Sequence, residues 1–287
     1  NGVNIINTNK TTEYGKGEGI VVYGDLTING EGTIQGATRA VWARGNDDAK
    51  ITINGGTFKG CEAGYTGGGN SVIYASSGNV IDIYGGTFEA LAEDTESYAN
   101  TLYPILNVAD NNGMINVYGG LFKGQNPAAP GTEPKAWNDA HPNGFVADGY
   151  RVVKSGEDFS VVPKDFVIST EELVEAFKNG DANITLANDI KLEERLEVAE
   201  GKNVNLDLNG KTITLEGTSV DPAFYTYKDS TLTITGNGTV KIEEPSVSLI
   251  FPGGDVVIEN GTFIRDVPAG TPANQVGAFF VGAKVSP

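Results

Sequence analysis

The sequence predicts an all-β chain folded as a right-handed parallel β-helix. Three observations predict it: a recurring octet, a fairly steady step between its copies, and apolar–polar alternation inside each copy. Ile51-Thr-Ile-Asn-Gly-Gly-Thr-Phe58 returns as Ile81-Asp-Ile-Tyr-Gly-Gly-Thr-Phe88, as Ile115-Asn-Val-Tyr-Gly-Gly-Leu-Phe122 and as Val256-Val-Ile-Glu-Asn-Gly-Thr-Phe263. Looser copies run from Leu26 to Ile34, Leu206 to Ile213 and Leu232 to Val240. A unit this small cannot bury its own apolar face, so it must stack on a neighbour.

Within each copy, period-two alternation marks a strand with one buried face. Glycine in mid-pattern supplies the bend that a side chain resists. The octet therefore reads as strand, corner, strand. The residue closing it steps from Ile34 to Phe58, Phe88 and Phe122, by 24, 30 and 34 residues, and from Ile213 to Val240 and Phe263, by 27 and 23. Such steps hold three short strands and a variable loop, and are too short for strand–helix–strand units with their connections. Alternation alone also suits an antiparallel sandwich. The resemblance of the copies at a steady step argues against it, because equivalent residues then stack as ladders of Ile on Ile and Phe on Phe. Right-handedness follows from the general rule for parallel crossovers.

Two segments depart from this text. Phe145 to Val153, then Ser155-Gly156, then Asp158 to Val162 and Pro163 reads as a β-hairpin with a Ser-Gly turn. After it, Ser169 followed by Glu172 forms a capping box, Leu173, Val174 and Phe177 share one helical face, and Gly180 stops the helix. A helix over 169–179 is well placed to cover the first coil of the solenoid that follows, where bare strand edges invite aggregation. The expected organisation is residues 1–144 as the C-terminal part of one β-helix unit, 145–164 as a hairpin linker, and 165–287 as the N-terminal part of a second unit.

That phase comes from laying the halves over each other. Thr27-Ile-Asn-Gly30 matches Thr233-Ile-Thr-Gly236 at an offset of 206, and Gly56-Thr-Phe58 matches Gly261-Thr-Phe263 at 205. Asn1-Gly2 matches Asn209-Gly210 at 208, and nothing before it corresponds to residues 165–208. The chain is thus expected to be a window on a longer array of tandem units; a complete but permuted product is the alternative. Further units of the same chain, or copies stacked end to end, are the expected partners.

Composition narrows the partners further. A formal net charge of −17 repels polyanions, so neither nucleic acid nor an anionic membrane surface is expected. No apolar run approaches the roughly 18 residues of a membrane span. The 39 glycines, without a collagen period, belong to the turns that coils need. The lone cysteine, Cys61, has no internal disulfide partner, and the single histidine, His141, stands 80 residues away in a loop-like text. A small buried Cys is the simpler reading than a Cys–His catalytic pair.

A polysaccharide lyase needs a base and a cluster of acids that hold calcium, and a glycoside hydrolase needs paired carboxylates. The acids on offer are Asp47 with Asp48, Glu93 with Asp94 and Glu96, and Glu243 with Glu244. They fall in loops of different coils instead of on one strand face, and Asp82 reads as an exposed strand residue. No catalytic, metal or cofactor site is expected. Aromatics are a different matter: Tyr84 and Tyr118 share a repeat position, with Asn54 in the copy before, and Trp42, Tyr74 and Tyr103 precede the octets. Aromatic faces stack on sugars and also stabilise adjacent strands. The insertions Cys61 to Asn70, Leu91 to Thr101 and Gln125 to His141 are the segments expected to face a ligand.

The octets, the introducing runs Ile184 to Leu192 and Val204 to Leu215, and the closing Phe145 to Val153 together resemble the pectate-lyase-like right-handed β-helix modules of gut bacterial surface proteins and of their phages' structural proteins. The resemblance covers nearly the whole chain. It implies an extracellular home on a virion or a bacterial cell surface, homo-oligomers in some cases, and host glycans as further partners. The first expectation is a non-catalytic structural or adhesive array in a virion fibre or decoration protein. A cell-surface adhesin is the second, and a glycan lyase or hydrolase the third.

Overall fold

The computed structural model describes residues 2–9, 16–44, 48–61, 71–91, 93–94, 101–102, 104–109, 112–128, 144–180, 182–216, 222–243, 248–266 and 269–270. The chain forms two compact units, Asn1–Lys164 and Asp165–Pro287.

In the first unit, β1 (Ile5–Ile6) is followed by the triplet β2 (Ile20–Val22), β3 (Leu26–Ile28) and β4 (Thr33–Gln35). The next triplet is β5 (Val41–Ala43), β6 (Lys50–Ile53) and β7 (Thr57–Gly60), and then β8 (Ile73–Ala75), β9 (Val80–Ile83) and β10 (Thr87–Ala90). A short antiparallel pair, β11 (Glu93–Asp94) and β12 (Thr101–Leu102), precedes β13 (Leu106–Val108), β14 (Met114–Val117) and β15 (Leu121–Phe122). Last come β16 (Tyr150–Ser155) and β17 (Asp158–Pro163). Consecutive strands of a triplet enter different sheets, ordered β13-β8-β5-β2, β14-β9-β6-β3 and β1-β4-β7-β10-β15-β17-β16. Every pairing among β1 to β10 and β13 to β15 is parallel. The unit is thus built of parallel strand stacks, as a solenoid requires.

Register follows the octets. Phe58 pairs with Phe88 and Phe88 with Phe122, while Ile51 pairs with Ile81 and Ile81 with Ile115. All six are buried in one apolar core. The phenyl rings stack at 5.0 Å and 4.9 Å, close to the spacing of adjacent strands, so the ladder of identical residues is a direct consequence of the pleat. The Gly-Gly corner has two separate causes. A Cβ on Gly119 would lie 2.2 Å from the Tyr84 carbonyl oxygen, and Gly120 sits at φ +109°, a region L side chains rarely adopt.

The hairpin differs from the sequence expectation in its first strand, which runs Tyr150–Ser155 instead of Phe145–Val153, and in its turn. Ser155 pairs with Asp158, so the turn is Gly156-Glu157, with Gly156 at φ 61°. The positive φ that a two-residue hairpin turn needs falls on the glycine, which draws Ser155 into the strand. Because β17 also pairs with β15, the hairpin is part of the sheet that carries the phenylalanine ladder.

The second unit opens with α1 (Thr170–Asn179). Ser169 Oγ accepts from the Glu172 amide at 3.2 Å, and Glu172 Oε2 accepts from the Ile168 amide at 3.0 Å, one residue earlier than a standard capping box. Gly180 ends the helix at φ 67°. The strands are β18 (Asn183–Thr185), β19 (Ile190–Leu192) and β20 (Leu196–Val198), then β21 (Asn203–Asp207), β22 (Thr212–Leu215) and β23 (Phe224–Thr226). They continue with β24 (Thr231–Thr235), β25 (Thr239–Ile242) and β26 (Ile250–Pro252), and end with β27 (Asp255–Ile258) and β28 (Thr262–Arg265). Three all-parallel sheets result: β18-β21-β24-β27, β19-β22-β25-β28 and β20-β23-β26. Helix α1 packs on β19 and β20, in the first triplet, and sends Leu173, Val174, Ala176 and Phe177 into the core.

Strands β1–β7 and β22–β28 run through their sheets in the same order. β1-β4-β7 corresponds to β22-β25-β28, β2-β5 to β23-β26, and β3-β6 to β24-β27. The two ends of this shared block differ in cover. Ile53 in β6 is 0 % exposed beneath β9, whereas its counterpart Ile258 in β27 is 39 % exposed.

Candidate functional site

The strongest concentration of chemistry lies on the outward face of the sheet β13-β8-β5-β2. Val41, Ala43, Leu106 and Val108 point into the core, so their alternating neighbours Trp42 and Asn107 point the other way. Register aligns Val21, Trp42, Tyr74 and Asn107 in one row across four strands. Outward does not mean exposed here, because Trp42 is 2 % and Asn107 1 % accessible.

Charged groups close over this row. Arg39 lies with its Cζ 4.8 Å from the centroids of both the Trp42 and Tyr74 rings, and Arg44 lies 4.6 Å from Trp42. A cation at that distance is attracted to the negative ring face. Arg39 Nη1 also binds Glu18 Oε1 at 3.0 Å, with both side chains buried. Trp42 Nε1 donates to Ser76 Oγ at 2.9 Å, and Trp42 meets Tyr74 edge-on at 6.3 Å. Three buried polar atoms on this face have no partner: Glu18 Oε2 and both amide atoms of Asn107.

A second aromatic row tops the octets. Tyr84 and Tyr118 stack at 4.6 Å with planes 8° apart, and Tyr150 ends the row edge-on at 5.4 Å. Asn54, in the copy before, instead donates to Asn29 Oδ1 at 2.8 Å. Beside the tyrosines, Asp82 is 6 % accessible, which corrects the expectation of an exposed strand residue. Its neighbours cover it: Asn116 Nδ2 donates to Oδ1 at 2.9 Å and Lys50 Nζ lies 3.2 Å from Oδ2. Desolvation, and then the Asp82 charge, hold the Tyr118 hydroxyl pKa above its ordinary value, while the Asp82 hydrogen bond and charge raise that of Lys50.

In the second unit the row equivalent to Trp42 is Glu197, Tyr225 and Phe251. Tyr225 and Phe251 stack at 5.3 Å, Arg195 lies 5.4 Å from the Tyr225 ring, and Tyr227 donates to Glu197 Oε2 at 3.2 Å. A recess of about 510 Å³ lies between α1 and this row, lined by Val174, Phe177, Arg195, Glu197 and Tyr227 among others.

The acids named from sequence do not converge. Asp48 sits in a turn at φ 79°, and Glu243 pairs with Lys241, which also reaches Asp266. Glu93 and Asp94 are backbone partners of β12, and Asp47, Glu96, Glu244, His141 and Tyr103 lie outside the described residues. Among the described residues no three His, Cys, Asp or Glu side chains gather as a metal would need. Cys61 is buried, with Sγ 3.4 Å from the Thr38 carbonyl oxygen. Of the three expected ligand-facing insertions, residues 62–70, 92, 95–100 and 129–141 lie outside the described residues. Sequence reading missed Glu18, Arg39, Arg44 and Asn107, because no local pattern marks polar side chains that meet only when strands stack.

No family model matches the chain, and no solved structure matches it. Among curated proteins, 99 residues are 32 % identical to part of the pyoverdine export ATP-binding/permease protein PvdT of Pseudomonas syringae pv. syringae (strain B728a), covering 34 % of this chain and 15 % of that protein. The chain therefore spans about 15 % of the length of the curated relative it matches. No Gly-rich phosphate loop leading into a helix occurs in the sequence. Among the described residues no helix is long and apolar enough to cross a membrane.

Proposed function

We propose that the chain is a non-catalytic structural and adhesive module, a right-handed parallel β-helix belonging to a virion fibre or decoration protein. The observation that carries this reading is the strand-for-strand repetition of β1–β7 in β22–β28. Stacks whose strands repeat in one register accept another strand at either end at little cost in specificity, which is how solenoids gain length. Apolar side chains uncovered at both ends of the shared block support the same use. In the first unit Val3, Ile5 and Tyr23 are exposed around a recess of about 600 Å³ floored by Ile20, Leu26, Ile28 and Ile34. In the second, Phe251, Val257, Ile258 and Ile264 are exposed. Head-to-tail contact between unlike ends builds open filaments instead of closed rings.

The handedness rests on the general preference of parallel crossovers. The same build serves a bacterial cell-surface adhesin, a reading favoured by the exposed aromatic rings of Tyr84 and Phe251. Sedimentation velocity tests the assembly: the chain is expected to self-associate with rising concentration, and Ile258→Glu to suppress this. A monomer near 30.1 kDa at every concentration overturns it. Immunogold labelling of phage and host cells distinguishes virion from cell surface.

A further inference from the structure

We propose that residues 278–280 of one copy of the chain supply the strand that fills the recess beside β2 of the next copy, so that two chains complete one coil between them. The inference rests on the array reading and names the contact that builds the array.

The edge strands carry the first step. β1 and β28 are free edges of equivalent stacks, β1-β4-β7 and β22-β25-β28. If β1 of one copy follows β28 of another as β28 follows β25, Ile5, in line with buried Ile34, covers Phe263, in line with buried Val240. Ile6 then meets Ile264. Both point outward from edge strands, 54 % and 41 % exposed, and an apolar side chain in that place invites a partner strand.

This pairing leaves a gap of defined width. β1 lies one strand beyond β4, whereas β2 and β3 are themselves the edges of their sheets. With β1 on β28, β26 and the next copy's β2 stand roughly 9.6 Å apart, two strand spacings, and one further strand is needed to join them. The place of that strand is the recess of about 600 Å³, whose wall includes Ile20, Val21, Val22 and Tyr23.

The sequence names the strand. The offset of 205 that lays Gly56-Thr-Phe58 on Gly261-Thr-Phe263 also lays Ile73-Tyr-Ala75, which is β8, on Ala278-Phe-Phe280. β8 lies beside β5, and β26 is the counterpart of β5, so residues 278–280 are the segment due beside β26. Residues 271–287 lie outside the described residues. Phe251 supports the match: it stacks on Tyr225 yet is 54 % exposed. Phe279, at the register position of Tyr74, continues that row beyond Phe251 and falls in line with Val21 of the next copy.

Cross-linking in the full chain tests the contact. Chains carrying Val21→Cys are mixed with chains carrying Phe279→Cys under oxidising conditions, while the native Cys61, which is buried, stays in place. The disulfide-linked dimer is expected to form at least about tenfold faster than in a mixture of Phe279→Cys with Lys154→Cys, because docking holds the two thiols at high effective concentration. Lys154 is exposed on the hairpin, away from β2. A second measurement needs no substitution: a synthetic peptide of residues 274–287 is added to the unaltered chain in sedimentation velocity. It is expected to return the assembly to the 30.1 kDa monomer, and a scrambled peptide to leave it intact. Equal cross-linking rates in the two mixtures, or self-association that the peptide does not reduce, overturns strand donation and leaves the array standing. A chain that is monomeric at every concentration overturns both.

Discussion

The ring of Phe88 lies between those of Phe58 and Phe122, 5.0 Å from the first and 4.9 Å from the second, tilted by 11° and 14°. One side chain thus joins three triplets of strands, and its removal leaves a gap that neither neighbour can fill without abandoning register. Phe88→Ala is expected to cost about 3–5 kcal/mol, the usual range for a fully buried phenyl. Tyr84→Ala, which breaks a stack of almost the same geometry in a half-exposed place, is expected to cost only about 0.5–1.5 kcal/mol for the lost pairing. Urea titration of both variants checks the contrast, and equal costs would mean that the core ladder does not hold the triplets together.

The same residue marks how far the sequence could be read. Phe58, Phe88 and Phe122 announce both the strand and its register, because the pleat fixes which positions face inward and identical residues stack best on one another. Ser169 and Gly180 announce the helix ends for equally local reasons. What faces outward is a different problem. Asp82 has the sequence context of an exposed strand residue, yet Lys50, three strands earlier in the chain, and Asn116, in the next octet, cover it. Glu18 and Arg39 are 21 residues apart and meet only because β2 pairs with β5. Local alternation carries no information about such meetings, so the core and the aromatic rows were legible and the charged partners packed against those rows were not.

That ion pair makes the second prediction. Arg39→Met removes the guanidinium from Glu18 and from two aromatic rings, leaving a buried carboxylate with neither oxygen held by an arginine. Breaking one member of a buried pair is expected to cost about 3–5 kcal/mol. Replacing both, as Glu18→Leu with Arg39→Met, is expected to recover most of that loss, because no uncompensated charge remains. Denaturant midpoints of the two single variants and the double variant form the cycle. Purely additive losses would show that the two residues do not act on each other.

The last prediction concerns acid. Lys123 Nζ lies 2.5 Å from Asp158 Oδ2, and the Gly124 amide donates to Oδ1 at 3.3 Å, tying the start of β17 to the end of β15. The Lys123 hydrogen bond is the main reason the Asp158 carboxyl is held below its ordinary pKa, with the Gly124 bond and the Lys123 charge adding to it against some desolvation. A carboxyl depressed in the folded state stabilises the fold fully above its unfolded pKa of about 3.9 and loses that contribution as pH falls through the lower folded value. The first unit is therefore expected to lose stability progressively below about pH 4 at this contact. Lys123→Met removes the main cause of the depression, so its melting temperature should fall less steeply than the parent's between about pH 5 and pH 2. At neutral pH the variant should be slightly less stable, since the favourable charge is absent there. High salt should narrow the difference between the two proteins, because the pair is partly exposed and screened. Identical acid limbs in low salt would remove Lys123 as the cause.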